Sequence, residues 1–131
     1  MAHILVLENE AGIAQLLGQV FGARGHRVTH RERGPEALEV LAGGGVDLLL
    51  TDLFLQGMGG LEVVAALEAR GPALPVVVIS GHIDQEVRER LEGIPLVRGW
   101  FRKPFGVEEL VARVESCLPG VGPAGPGPGP S

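Results

Sequence analysis

Val46-Asp47-Leu48-Leu49-Leu50-Thr51-Asp52, followed by Leu53-Phe54-Leu55-Gln56-Gly57-Met58-Gly59-Gly60, decides how the rest of this 131-residue chain is read. An almost unbroken apolar run of strand length reads as a strand buried on both faces, the pattern of a parallel sheet. It stops at a carboxylate and a glycine-rich turn. In open α/β sheets, ligands bind at the carboxyl ends of the strands, so Asp52 stands where chemistry is expected. Asp also starts turns by itself, so the residues at the other strand ends have to decide.

Outward from this stretch, strand and helix signals alternate five times. His3-Ile4-Leu5-Val6-Leu7 is a first buried strand, cut off by Glu8-Asn9-Glu10. Ile13, Leu16, Leu17, Val20 and Phe21 recur at helical spacing and stop at Gly22 to Gly25. Arg27 to His30 reads as a short polar edge strand. Gly34-Pro35 opens a second helix, with Leu38 and Leu41 inward and Gly43-Gly44-Gly45 as its stop. Leu61, Val64 and Ala65 line a third helix that ends near Gly71-Pro72, and Pro75 to Ser80 is the clearest strand of all. Ile83, Val87 and Leu91 mark a fourth helix, Leu96 to Phe101 a fifth strand, and Val107 to Leu118 a fifth helix. The alternation predicts one α/β domain: a parallel sheet with helices on both faces and right-handed crossovers.

Composition sets the outer bounds. With 45% hydrophobic residues and a net charge of -5, the chain reads as an ordinary mildly acidic globular protein, without the basic footprint of a nucleic-acid binder. No apolar run reaches the length of a membrane span, and the start lacks a secretory layout, so the expected compartment is the cytoplasm. The single cysteine, Cys117, excludes an intrachain disulfide and continues the helical row of Val107, Leu110, Val111 and Val114 as a small core residue. His26 and His30 flank a strand-like segment, where two rings lie too far apart to chelate one ion; they read as surface or turn residues. From Pro119 on, Pro and Gly alternate with nothing large to bury, which predicts a domain over residues 1–118 and a flexible tail or linker over 119–131.

Parallel strands bring their C-terminal ends to one edge. The sequence places Glu8 and Asn9 there after strand one, Asp52 after strand three, Ser80 after strand four and Lys103 just after strand five. Acids this close repel unless a cation lies between them, and a hard divalent ion such as Mg²⁺ suits oxygen ligands. The ordered set Ile4 to Glu10, Asp47 to Asp52, Gly60, Val78-Ile79-Ser80-Gly81 and Phe101-Arg102-Lys103-Pro104-Phe105 resembles the receiver domain of bacterial two-component response regulators over residues 3 to 118.

The resemblance implies a flavodoxin-like (βα)5 three-layer sandwich with strand order 2-1-3-4-5. It implies that Asp52 takes a phosphoryl group from a histidine kinase or histidine phosphotransfer protein, a legitimate use of a carboxylate nucleophile. By the same resemblance, Mg²⁺ is held by Asp52, the Glu8-Asn9 pair and the backbone carbonyl of Phe54, Lys103 neutralises phosphoryl charge, and Ser80 donates a hydrogen bond. A cis Lys103-Pro104 bond and a switch aromatic at Trp100 are also implied. Trp100, coupled to Ser80, would reshape the surface of the fourth helix, fifth strand and fifth helix for a downstream protein partner. No direct contact with nucleic acid or membrane is expected, and whether the chain forms a homodimer through the fourth-helix face is left open by the sequence.

Two positions depart from the pattern. Asn9 stands where the family carries a second, metal-ligating acid, and it also suits an N-cap for the first helix. Glu10 is a residue that can supply the missing charge. Gln56 replaces a usual proline. These departures keep open a pseudo-receiver that binds proteins without phosphorylation. A nucleotide-binding loop at Gly57-Met58-Gly59-Gly60 fits poorly, because Glu62 occupies the place of the third glycine and the loop follows strand three. An aspartyl-phosphate phosphatase fits poorly too, because Phe54 stands where a general acid would be needed. Phe54 and His82 flank the site and are expected to shield a phospho-Asp from water.

Overall fold

In the computed structural model, residues 2–55 and 58–118 are described. Five strands and five helices alternate: β1 (His3–Leu7), α1 (Ala11–Ala23), β2 (Arg27–Arg31), α2 (Gly34–Ala42), β3 (Leu48–Asp52), α3 (Gly60–Arg70), β4 (Val76–Ser80), α4 (Gln85–Glu92), β5 (Val97–Arg102) and α5 (Val107–Ser116). All pairings are parallel, in the order β2-β1-β3-β4-β5. This is the flavodoxin-like arrangement, with β3 central and β2 and β5 at the edges. The expectations for Gln56 and for the segment from Pro119 fall outside the described residues.

Side-chain alternation along the strands explains the three layers. Leu5, Leu7, Leu49, Val76 and Val78 face one side, where they pack on Ala37 and Leu41 of α2, Val63, Val64 and Leu67 of α3, and Leu91 of α4. Ile4, Val6, Leu48, Leu50, Val77 and Ile79 face the other, against Leu17 and Phe21 of α1 and Leu110, Val111 and Val114 of α5. Successive residues of one strand therefore serve opposite cores. Every residue of β3 and β4 is buried, which is why these strands read as continuous apolar runs. Shortening Leu50, fully buried in the second core, to Ala would cost about 2–5 kcal/mol.

Several local expectations shift. The inward row of α3 is Gly60, Val63, Val64 and Leu67; Leu61 is only partly buried and Ala65 is exposed. In α2 the buried pair is Ala37 and Leu41, with Leu38 partly buried, and in α1 Leu16 is exposed at 38%. Ile83 precedes α4 and is buried in its entry loop, and Asp84 caps the helix by accepting from the Val87 N–H. Glu10, not Asn9, is the residue at the N-cap position of α1, and it makes no side-chain cap. Cys117 is the residue after α5, half-buried against the second core.

His26 lies in the turn between α1 and β2, with its ring turned inward. Its ring is 11% exposed, accepts from the Ala2 N–H at Nδ1 and meets Glu115 through Nε2 at 3.0 Å. An acceptor at Nδ1 places the imidazole proton on Nε2, aimed at that carboxylate. Arg24 reaches the same carboxylate through two bonds of 2.6 and 2.7 Å, tying the start of the chain and the α1–β2 turn to α5.

Candidate functional site

Glu8 follows β1 directly and is wholly buried. The end of β2 fixes its backbone: the Glu8 N–H donates to the Arg31 carbonyl, and His30 Nε2 lies 2.7 Å from the Glu8 carbonyl oxygen. A carbonyl can only accept, so that ring nitrogen carries the proton. Glu8 Oε2 accepts from the Glu10 N–H at 2.9 Å. Its other oxygen, Oε1, is buried without a protein hydrogen bond, although the Lys103 ammonium nitrogen lies 3.1 Å from it at an angle unsuited to one. Burial above all raises the Glu8 carboxyl from its ordinary value, with the neighbouring N–H and Lys103 pulling the other way.

Asp52 ends β3 with its side chain 7% exposed. Oδ1 accepts from the Phe54 N–H at 3.1 Å and Oδ2 from Lys103 at 2.8 Å. The chain then turns into α3 so tightly that a Cβ on Gly60 would collide with the Asp52 carbonyl oxygen. Glycine at the first turn of α3 is what lets the helix start beside the strand end.

Lys103, one residue past β5, closes the cluster through Glu8, Asp52 and Glu10, the last at 2.9 Å. Burial works against its ammonium, but the hydrogen bonds to Asp52, Glu10 and Glu8 outweigh it and hold the amine above its ordinary range. The following Lys103-Pro104 bond is cis. Ligand oxygens of Glu8, Glu10 and Asp52 lie within 4.8 Å of one another, so the site gathers three hard oxygen donors around one cation. Hard donors at this spacing, with a buried and unbonded carboxylate oxygen among them, suit a divalent cation.

Ser80 is fully buried at the end of β4, one residue beyond Ile79, which pairs with Asp52. Its hydroxyl donates to the His82 carbonyl at 3.2 Å and accepts the His82 N–H at 3.1 Å. Both bonds are to its own loop, not to Asp52. Phe54, 55% exposed, meets the His82 ring edge-on at 5.9 Å between centroids. Trp100 is half-buried beside Val78 and packs on the core shared by α2, α3 and α4.

Among the site residues expected from sequence, Glu8, Asp52 and Lys103 are in contact, while Asn9 is exposed and Ser80 is turned to its loop. Two positioning contacts carry no sequence signal: His30 on the Glu8 carbonyl, and Arg102 Nη2 on the Ile83 carbonyl at 2.6 Å. The Arg102 contact ties the loop after Ser80 to β5.

Residues 4–115 match the model of the family described as the response regulator receiver domain. Among curated proteins, the chain is 33% identical over 117 residues to the uncharacterized transcriptional regulatory protein YkoG of Bacillus subtilis, covering 88% of this chain and 50% of that protein. It is 32% identical to the DNA-binding transcriptional regulator NtrC of Escherichia coli, again over 88% of this chain but 24% of that protein. The chain thus spans between about a quarter and a half of the length of these relatives. Among solved structures, response regulator TrrA of Thermotoga maritima, in complex with Mg(2+)-BeF, is similar at 26% identity and a TM-score of 0.78, over 90% of this chain and all of that one. Chemotaxis response regulator CheY4 of Vibrio cholerae shares the fold at 23% identity and a TM-score of 0.80, over 90% of this chain and 99% of that one.

Proposed function

This chain belongs to the response regulator receiver domain family of two-component systems, and from that premise we propose that it is a phosphoacceptor whose Asp52 carboxylate takes a phosphoryl group from the phosphohistidine of a histidine kinase or phosphotransfer protein. One Asp52 oxygen attacks phosphorus, the P–N bond to the donor imidazole breaks, and its electron pair leaves with the imidazole nitrogen. Two hydrogen bonds, donated by the Phe54 N–H and by Lys103, hold the carboxylate in a fixed orientation. Such positioning is most of what a protein can offer this reaction.

Lys103 carries the positive charge that meets the incoming phosphoryl oxygens. Ser80 donates a hydrogen bond to the same group once its hydroxyl has left the His82 carbonyl. Glu8 and Asp52 would supply carboxylates for Mg²⁺, with the Phe54 carbonyl as a neutral oxygen of the set, whereas Asn9 is exposed. When bound, the cation supplies Lewis-acid stabilisation of phosphoryl charge. Movement of the Ser80 loop, followed by Trp100, shifts a pre-existing equilibrium of the α4–β5–α5 surface towards the form a downstream protein binds.

The observation that carries this reading is the Lys103 ammonium held between Asp52, Glu8 and Glu10 at the C-terminal edge of the sheet. Intact-mass analysis after incubation with acetyl phosphate tests it. The expected result is one added phosphoryl mass that requires Mg²⁺ and is lost in Asp52→Asn. A folded protein that gains no mass at high donor and Mg²⁺ is instead an interaction module that works without phosphorylation.

A further inference from the structure

Position 9 sets a problem for the cation site. An amide there leaves the oxygen set one negative charge short, since an uncharged oxygen holds a divalent ion less tightly than a carboxylate. Asn9 and Glu10 are both exposed, but it is the Glu10 carboxylate that meets the cluster. Glu10 Oε2 stands 2.9 Å from Lys103 Nζ, and its ligand oxygen shares the 4.8 Å grouping with those of Glu8 and Asp52.

The backbone explains why Glu10 can turn in. Its N–H donates to Glu8 Oε2, which folds the chain back over the Glu8 carboxylate. Its side chain makes no cap to α1, although Glu10 occupies the N-cap position. Glu8 Oε1 adds support: it is buried, makes no hydrogen bond and is met by the Lys103 ammonium at 3.1 Å, so it keeps acceptor capacity for a cation.

We propose that Glu10, not Asn9, supplies the second acidic residue that the cation site needs, so that the charge missing at position 9 has moved one residue along the chain. The inference rests on reading the cluster as a divalent-cation site. Its competitor is a Glu10 that serves only as an ion-pair partner of Lys103.

Calorimetric titration of Mg²⁺ into the unphosphorylated full chain separates the two. Glu10→Gln is expected to weaken Mg²⁺ binding roughly 10- to 100-fold, the range seen when groups that support a metal site are removed. Asn9→Ala should stay within about twofold of the parent, as expected for a neutral exposed residue. The Glu10→Gln loss should persist in a Lys103→Met background, where no ammonium remains for Glu10 to act through. Glu10 is 59% exposed, so Glu10→Gln should fold, and its effect in the parent background stands even if Lys103→Met does not fold. The inference is overturned if Glu10→Gln binds as the parent does, if Asn9→Ala is weakened equally, or if the loss disappears with Lys103 removed. A parent chain that takes up no Mg²⁺ overturns the cation-site reading itself.

Discussion

Replacing Lys103 by Met takes the one positive charge out of a group of three carboxylates and leaves the stem length nearly unchanged. The oxygens of Glu8, Glu10 and Asp52 stand within 4.8 Å of one another. At an effective dielectric constant near 20, each such pair of charges repels by at least about 3.5 kcal/mol, and removing one partner of a buried ion pair costs about 3–5 kcal/mol. Glu10 is largely exposed and relaxes into solvent, and Glu8, already shifted upwards by burial, takes up a proton. These two escapes put the expected loss at the lower end, about 3 kcal/mol. Urea unfolding of Lys103→Met in EDTA measures it. Mg²⁺ at one fixed concentration, about 100 times the variant's Kd, should stabilise the variant by about 2.7 kcal/mol by linkage and the parent by less, because there Lys103 competes for the same oxygens. A variant as stable as the parent in EDTA, with no larger response to Mg²⁺, would refute the view that Lys103 neutralises the cluster.

Phe54→Ala removes half of the exposed Phe54–His82 pair and should shorten the lifetime of the phosphorylated protein several-fold, followed as loss of phosphoryl mass with time; an unchanged lifetime rejects shielding by that ring. Arg102→Gln removes a charged hydrogen bond of 2.6 Å to the Ile83 carbonyl, worth about 1.5–3 kcal/mol. Amide exchange across residues 81–84 should then quicken by roughly tenfold or more, and unaltered exchange shows the loop to be held by other contacts. Glu115 is held down to about 2 from an ordinary 4.5, first by the Arg24 hydrogen bonds and also by His26. A depressed carboxylate stabilises the fold fully above its unfolded pKa and loses that contribution as pH falls through about 2. Glu115→Gln should therefore be less stable than the parent at neutral pH, with the difference closing between pH 4.5 and 2 in denaturant titrations.

The fold was legible because β1, β3 and β4 are buried on both faces, so their apolar runs and the breaks after them stand out without an alignment. The third helix was less so. Its sequence is apolar on more than one side, and the choice between Leu61 and Val63 depends on how closely Gly60 lets the helix approach β3. The fifth strand hides another feature: Val76 pairs with Val97 and Val77 with Gly99, so Arg98 is an extra residue that no alternation reveals.

The acidic and basic members of the site could be read from their places at strand ends, because a parallel sheet brings those ends together whatever the side-chain details. Glu10 was legible as a spare charge but not as an inward one, since its direction follows from a hydrogen bond between its own N–H and Glu8. His30 and Arg102 act on backbone carbonyls. Carbonyl partners leave no pattern in residue types, which is why these two contacts needed the three-dimensional structure.

The most direct measurement reduces the phosphorylated chain with borohydride, which converts an acyl phosphate to the corresponding alcohol, and sequences the peptides. Conversion of residue 52 to homoserine, seen only after incubation with both donor and Mg²⁺, is the predicted result. An unaltered Asp52, with the phosphoryl group elsewhere in the chain or absent, would contradict the account.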